Sequence, residues 1–409
     1  MKRILFLLPR FPELGGVEKI TLNLAGQLAR RGYWVGIYAG KGSSAEIDSL
    51  DFIADYPDVH FELSGGLPGG KSESDGPLPD GEFLREYVEE EGIDTLITQG
   101  FTSLLIPALR EVRKIDRLRI VSVLHTNPRM SARRSRAENE GGVLARFVKG
   151  IAWGLYEHYS YRKYLRTLRT IANLSDKIIV LSEGYKDQML QLLPYVKPEK
   201  IAAIPNFIPD GDSTGAFNLK KQNNIPDRGY MDAVDREKLI VYVGRVVEHT
   251  KRVSRVIELW RRVSPLFPDW RLEIVGDGPQ REEYERRVSR EGMERISFTG
   301  IRRDIPALLR RASVLLQTSD YEGMPMIVIE AMREGCVPVV YNSYAAASEL
   351  IADNEDGLLI TPFDEEEYFS RLSNLLQSEK EIARLSNRAI ESSKRYTPAA
   401  VVPFWENIL

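Results

Sequence analysis

The chain has 409 residues, of which 43% are hydrophobic and 28% charged, with a formal net charge of -3. That length exceeds one ordinary core and makes two domains the natural expectation, while the slightly acidic balance excludes a global electrostatic draw toward nucleic acid. The single cysteine, Cys336, excludes an internal disulfide framework or thiolate metal cluster and fits a reducing compartment.

Met1-Lys2-Arg3 leads into the apolar run Ile4–Leu8, which stops at Pro9-Arg10. The run is shorter than an export signal needs and reads as a buried first strand. No segment approaches the roughly 20 apolar residues of a membrane span. A cytoplasmic protein is therefore expected, and the sequon Asn173-Leu174-Ser175 carries little meaning.

Apolar runs of strand length alternate with helical patterns along the whole chain. Ile4–Leu8, Trp34–Ala39, Thr95–Thr98, Ile120–Leu124 and Lys177–Leu181 are strands of a first half. Leu239–Val243, Leu272–Val275, Ser297–Thr299, Val314–Gln317 and Val337–Tyr341 are strands of a second. Such β-branched runs separated by helices predict parallel sheets covered on both faces. The expected fold is α/β: two facing Rossmann-like, doubly wound domains with a deep cleft between them. Expected boundaries are residues 1–208, a linker over 209–236, and 237–395, with a terminal helix at 396–409 crossing back. Gly65 to Gly81 reads as a surface loop. Ligands of open parallel sheets bind beyond the carboxyl ends of the strands, so polar residues and glycines just after each strand are the candidate site.

Gly15-Gly16-Val17-Glu18-Lys19 falls between the first strand and the helical pattern Ile20–Arg30. Paired glycines there allow close backbone approach to a phosphate at a helix N-terminus, or simply a tight turn. His125 follows the strand Ile120–Leu124 and is either a cleft residue or a structural histidine. Arg245 follows Gly244 at the end of Leu239–Val243, and Lys251, six residues on, opens the next helical pattern. A guanidinium fork and an ammonium there can converge on one diphosphate; solvated surface cations are the plainer reading. Gly276-Asp277-Gly278-Pro279 lacks the third glycine of a dinucleotide fingerprint.

The segment Ser319 to Met332 is the most specific. Glu322 lies in the loop after Val314–Gln317, Pro325 stands where a helix begins, and Glu330 falls just over one turn inside it among Ile327, Val328, Ile329 and Met332. A carboxylate in apolar company needs a partner, which a ribose diol or an arginine can supply. The amides of Gly323, Met324, Pro325 and Met326 surround a helix N-terminus suited to an anion, although proline itself offers no N–H.

Taken together these residues resemble glycosyltransferase family 4. Glu322 and Glu330, with seven residues between them in EGMPMIVIEAM, match its E-x7-E motif. Gly244-Arg245 with Lys251, VGDGP at Val275–Pro279, FTG at Phe298–Gly300, GGVEK and IPNFI at Ile204–Ile208 fall in the family's order. The resemblance implies the B-type glycosyltransferase fold, retention of anomeric configuration and no metal. It implies a nucleoside-diphosphate-sugar co-substrate, with UDP expected as the nucleotide, and a sugar or lipid-linked sugar acceptor in surface polysaccharide, lipopolysaccharide or glycolipid synthesis. By residue, it implies that Arg245 and Lys251 bind the diphosphate, Glu330 the ribose and Glu322 the transferred sugar. His125 would lie near the sugar, Ile301 would meet the base through its backbone, and Gly15 and Gly16 would approach the donor phosphate. Two departures stand out: Met324-Pro325 replaces the usual Phe-Gly, and the loop Asn342 to Glu349 lacks the usual glycine pair.

Two other readings of the same architecture are a sugar-nucleotide epimerase or phosphorylase, and a sugar-binding scaffold without turnover. Between Pro128 and Thr170, ten basic residues including Arg133, Arg134 and Arg136 interleave with aromatics such as Trp153 and Tyr159. The stretch 129–169 reads either as a peripheral contact with an anionic membrane surface or as a solvated helical insertion.

Overall fold

Ile4, Leu5, Phe6 and Leu7 are successive residues of one strand and none retains solvent exposure. Only a strand covered on both faces buries consecutive side chains, because they alternate between faces. In the computed structural model, residues 1–9, 16–39, 56–63, 81–129, 143–209 and 236–409 are described, with backbone alone over 143–157. The chain divides into two units, Met1–Pro205 with Val402–Leu409, and Asn206–Val401. The expected loop Gly65–Gly81 lies outside the described residues up to its last glycine, and so does most of the expected linker.

The first unit holds strands β1 (Arg3–Leu8), β2 (Trp34–Ala39), β3 (Val59–Leu63), β4 (Thr95–Gln99), β5 (Arg119–Leu124), β6 (Lys177–Val180) and β7 (Ile201–Ala203). They form a parallel sheet in the order β3-β2-β1-β4-β5-β6-β7. The second unit holds β8 (Glu237–Val243), β9 (Arg271–Val275), β10 (Ile296–Gly300), β11 (Ala312–Gln317), β12 (Val337–Tyr341) and β13 (Leu358–Ile360). These are also parallel, in the order β10-β9-β8-β11-β12-β13.

In the first unit the winding reverses between β1 and β4, and in the second between β8 and β11. Every expected strand is present. Three were not expected, β3, β7 and β13, and each closes one edge of a sheet. Edge strands need no continuous apolar run: β3 reads Val-His-Phe-Glu-Leu, and β7 and β13 have three residues each.

Helices seal the sheets through single apolar faces. Helix Val253–Val263 buries Val253, Val256, Ile257, Leu259, Trp260 and Val263, the spacing of one helical stripe. Burying a side chain such as Trp260 or Ile257 contributes about 1.5–3 kcal/mol. No described helix is long and apolar enough to cross a membrane.

Candidate active site

In the second unit, the loops after β8 and β9 are joined backbone to backbone. Gly244 N–H donates to Val275 O at 2.9 Å and Val246 N–H donates to Asp277 O at 2.9 Å. Glycine makes this contact sterically feasible. A Cβ on Gly276 would stand 1.9 Å from Gly244 O, and one on Gly278 would stand 2.2 Å from Val246 O. Gly276 also has φ +130°, a conformation that side chains rarely adopt. The glycines of Gly276-Asp277-Gly278-Pro279 therefore serve protein packing, and what they pack is the turn carrying Arg245. Arg245 itself is exposed, and its carbonyl accepts from the Tyr242 hydroxyl at 3.0 Å.

Lys251 does not open the next helix as expected. It closes the short helix Glu248–Lys251, and Arg252 intervenes in a left-handed conformation, φ 51°, before Val253–Val263 begins. Side chains hold this break. Arg252 Nε donates to Asp320 Oδ2 at 2.6 Å, and Arg255 donates to Asp320 Oδ1 at 2.6 Å. The Thr318 hydroxyl donates toward the carbonyls of Lys251 and Arg252 at 3.1 and 3.0 Å. The turn after β8 is thereby fastened to the turn after β11, across the reversal of winding.

The same junction brings two expected site residues together. Lys251 Nζ donates to Glu322 Oε1 at 2.5 Å, the Ser319 hydroxyl donates to that oxygen at 2.7 Å, and Gln317 Nε2 approaches it at 3.5 Å. Both partners of the ion pair keep limited side-chain exposure, 26% for Lys251 and 13% for Glu322. A charge pair of this kind, reachable from solvent and beside the exposed Arg245 turn, can exchange partners with an anionic ligand.

Helix Met326–Arg333 follows, and Pro325 gives it no side-chain cap. Its buried face is Val328, Ile329, Ala331 and Met332. Glu330 is not embedded there: it is half-buried on the opposite stripe with Met326, Ile327 and Arg333. The helix period places Glu330 three residues after Ile327 and four after Met326, so the apolar neighbours in sequence point elsewhere. Met324 is buried, and its sulfur accepts from the Asn206 amide at 3.2 Å. Ile301, just past β10, is 79% exposed.

In the first unit, Gly15 lies outside the described residues. Gly16 starts helix Gly16–Arg30, and a Cβ there would meet no described atom within 4 Å. His125 follows β5, and its Nε2–H donates to Gln99 Oε1 at the end of β4. Its Nδ1 is buried and has no hydrogen-bond partner among the described residues. Burial lowers the imidazolium pKa to about 4, so the ring is neutral at physiological pH. The basic stretch falls largely outside the described side chains. Within it, Arg162, Lys163, Arg166 and Arg169 are exposed on helix Val143–Leu174, with Tyr159 66% exposed. Tyr164 instead turns inward and donates to Pro128 O at 2.9 Å.

Sequence reasoning passed over Gln317, Tyr344 and the Arg252–Asp320 contact. For Gln317 a signal existed: a polar residue ends the otherwise apolar tail of a strand whose carboxyl end faces the candidate site. Among the described residues, no group of three or more His, Cys, Asp or Glu side chains gathers as a metal site would require.

Two parallel, doubly wound sheets with these residues at the strand ends have the B-type glycosyltransferase fold. The family described as Glycosyltransferase Family 4 matches residues 14–211, and Glycosyl transferases group 1 matches residues 228–392. The chain belongs to the family-4, group-1 glycosyltransferases. It is 29% identical over 240 residues to an exopolysaccharide phosphotransferase of Streptomyces coelicolor, covering 57% of this chain and 23% of that protein. It is 24% identical over 416 residues to an uncharacterized glycosyltransferase of Haemophilus influenzae, covering 100% of both. A PP-undecaprenol alpha-1,4-N-acetyl-D-galactosaminyltransferase of Campylobacter jejuni is 27% identical over 175 residues, 43% of this chain and 48% of that protein. The chain therefore spans under a quarter of the first relative and under half of the third. Among solved structures, Staphylococcus aureus TarM bound to UDP superposes with a TM-score of 0.72 at 14% identity, covering 100% of this chain and 99% of that one. Anabaena HepE bound to UDP-glucose gives 0.69 at 19%, covering 100% of both chains.

Proposed function

We propose that this glycosyltransferase moves a hexosyl unit, with retention, from a UDP-sugar to a hydroxyl of a sugar or lipid-linked sugar in surface polysaccharide, lipopolysaccharide or glycolipid assembly. The observation that carries the donor half is the Lys251–Glu322 ion pair, set across the reversal of winding beside the exposed Arg245. In this reading the diphosphate takes Lys251 from Glu322 and also engages Arg245. Glu322, relieved of its cation, accepts hydrogen bonds from sugar hydroxyls. Glu330 accepts from the ribose, the exposed Ile301 lies against the base, and the uncapped N-terminus of helix Met326–Arg333 adds favourable potential for the anion.

The bond from the anomeric carbon to the diphosphate oxygen breaks while the acceptor oxygen bonds to the same face. The acceptor's proton passes to the departing oxygen. Arg245 and Lys251 stabilise the charge developing on the diphosphate, a role that needs no divalent ion. For the first unit, Gly15 and Gly16 serve close backbone approach to the donor phosphate, and neutral His125 acts toward the transferred sugar. The UDP bound to TarM and the UDP-glucose bound to HepE support the choice of nucleotide. The PP-undecaprenol relative supports a lipid-linked acceptor.

A thermal-shift panel of nucleotide sugars tests the donor, since a ligand at 100 times its Kd stabilises by about 2.7 kcal/mol. UDP-sugars should raise Tm above GDP- and ADP-sugars, and transfer should persist in excess chelator. A preference for a purine nucleotide, or transfer abolished by chelator and restored by a divalent ion, would reject the reading.

A further inference from the structure

The loop after β12 occupies the place where the family carries a glycine pair, and its side chains reach back to the Glu322 turn. The Tyr344 hydroxyl donates to Gln317 Oε1 at 2.7 Å, with both residues 4% exposed. Gln317 ends β11, and its amide nitrogen faces Glu322 Oε1 at 3.5 Å. A second strut runs parallel: the Ser343 hydroxyl donates to Ser319 O at 2.7 Å, and the Ser319 hydroxyl donates to Glu322 Oε1 at 2.7 Å. The base of the loop is fixed by Asn342 N–H to Ile360 O at 2.8 Å. Glycines could supply backbone amides here but neither strut.

We propose that Tyr344, acting through Gln317, is a positioning residue that fixes the orientation of the Glu322 carboxylate and so determines which donor sugar is accepted. The physical step is the orientation of one amide. Gln317 has a carbonyl oxygen and an NH2 group, and either could face Glu322. A hydroxyl donating to the oxygen turns the NH2 group toward the carboxylate, where it attracts; the flipped amide would set two acceptors against each other. The Ser319 hydroxyl and Gln317 NH2 then confine Glu322 Oε1 while Lys251 changes partner. A carboxylate held in one orientation discriminates between epimeric hydroxyls, because a buried acceptor left unpaired by the wrong epimer carries the full cost of its desolvation. The inference rests on the proposed UDP-sugar reading and adds the element that selects the sugar.

The test compares wild type, Tyr344→Phe and Gln317→Met for UDP affinity by calorimetry, and for kcat and KM with UDP-glucose, UDP-galactose and their N-acetyl forms. Tyr344→Phe removes one oxygen from a packed ring, and Gln317→Met conserves volume, so at least one folded variant is expected. The wild type should bind UDP and prefer one donor. Both variants should keep UDP affinity within about twofold, lower kcat for that donor by roughly three- to tenfold, and narrow its lead over the C4 epimer. The double variant should be no worse than the poorer single one, because the residues act in series. An unchanged donor ratio, or a uniform fall for all donors together with UDP affinity, would make Tyr344 merely structural and overturn the proposal. Wild-type protein that binds no UDP would instead overturn the UDP-sugar reading, and this inference with it.

Discussion

At the residue scale, the two glutamates of the E-x7-E pair have different surroundings, and those surroundings assign them different work. Glu322 is held by Lys251 and Ser319, and Glu330 is half-buried on the stripe of its helix opposite the core face. Glu330→Gln should weaken bare UDP by at least about tenfold, the effect of losing a charge-assisted bond of roughly 1.5–3 kcal/mol. Glu322→Gln, which removes the carboxylate competing with the diphosphate for Lys251, should leave bare UDP affinity equal or tighter and depress kcat. Calorimetry and initial rates on both variants decide this, and equal losses of UDP affinity would contradict the assignment. His125 makes a separate prediction. Its folded pKa is lowered by burial to about 4, from an ordinary 6.5. Between those values the unfolded chain binds more protons than the folded one, so stability from this group is level above about pH 6.5 and falls as pH drops toward 4. The full displacement corresponds to about 3 kcal/mol, an upper bound because His125 as a whole residue is only half-buried. Denaturant melts at pH 7 and pH 5 should show a loss that His125→Gln reduces; the same loss in the variant would contradict the burial account.

At the element scale, the sequence displays what is continuous and hides what is intermittent. Central strands such as β1, β8 and β12 were legible because burial on both faces demands unbroken apolar runs. Of the four edge strands β10 was legible from Ser297–Thr299, whereas β3, which alternates with polar residues, and the three-residue β7 and β13 offered no apolar run long enough to read. The position of Lys251 was misread for another reason. A left-handed arginine is strained, and beside its local contacts with Glu248 the Asp320 and Thr318 contacts that hold it come from a turn 66 to 68 residues away, which no local pattern displays. Glycine function was likewise legible only in three dimensions. Gly276→Ala would force a Cβ against Gly244 O and should cost at least about 2 kcal/mol, lowering Tm and UDP affinity together because the Arg245 turn moves. Gly16→Ala meets no described atom and should leave Tm nearly unchanged while slowing transfer. Melting curves and rates for the two variants check this, and a lowered Tm for Gly16→Ala would mark it as a packing glycine. Helix Val143–Leu174 presents Arg162, Lys163 and Arg166 with Tyr159. If that face meets anionic lipid, each cation contributes about 1 kcal/mol at low salt. Triple replacement of these cations by serine should release the protein from anionic vesicles in sedimentation, whereas wild type remaining in the supernatant at low salt would leave only a soluble-acceptor reading.

At the scale of the whole molecule, the two units repeat one device. In each, the strand that joins the first strand across the reversal of winding, β4 or β11, ends in a buried glutamine, Gln99 or Gln317. Each glutamine meets a candidate site residue, His125 or Glu322. The doubly wound fold opens its sheet edge there, and a short polar side chain at the end of an apolar strand is what can fasten a functional group without leaving the core. The central claim is that the second unit holds a nucleoside diphosphate through the Arg245 turn, and it is tested most directly by UDP calorimetry on wild type and Arg245→Ala. Loss of a charge-assisted contact of about 1.5–3 kcal/mol should weaken UDP at least about tenfold, with Tm in the absence of ligand unchanged because Arg245 is exposed. Equal UDP affinity in the two proteins would contradict the claim.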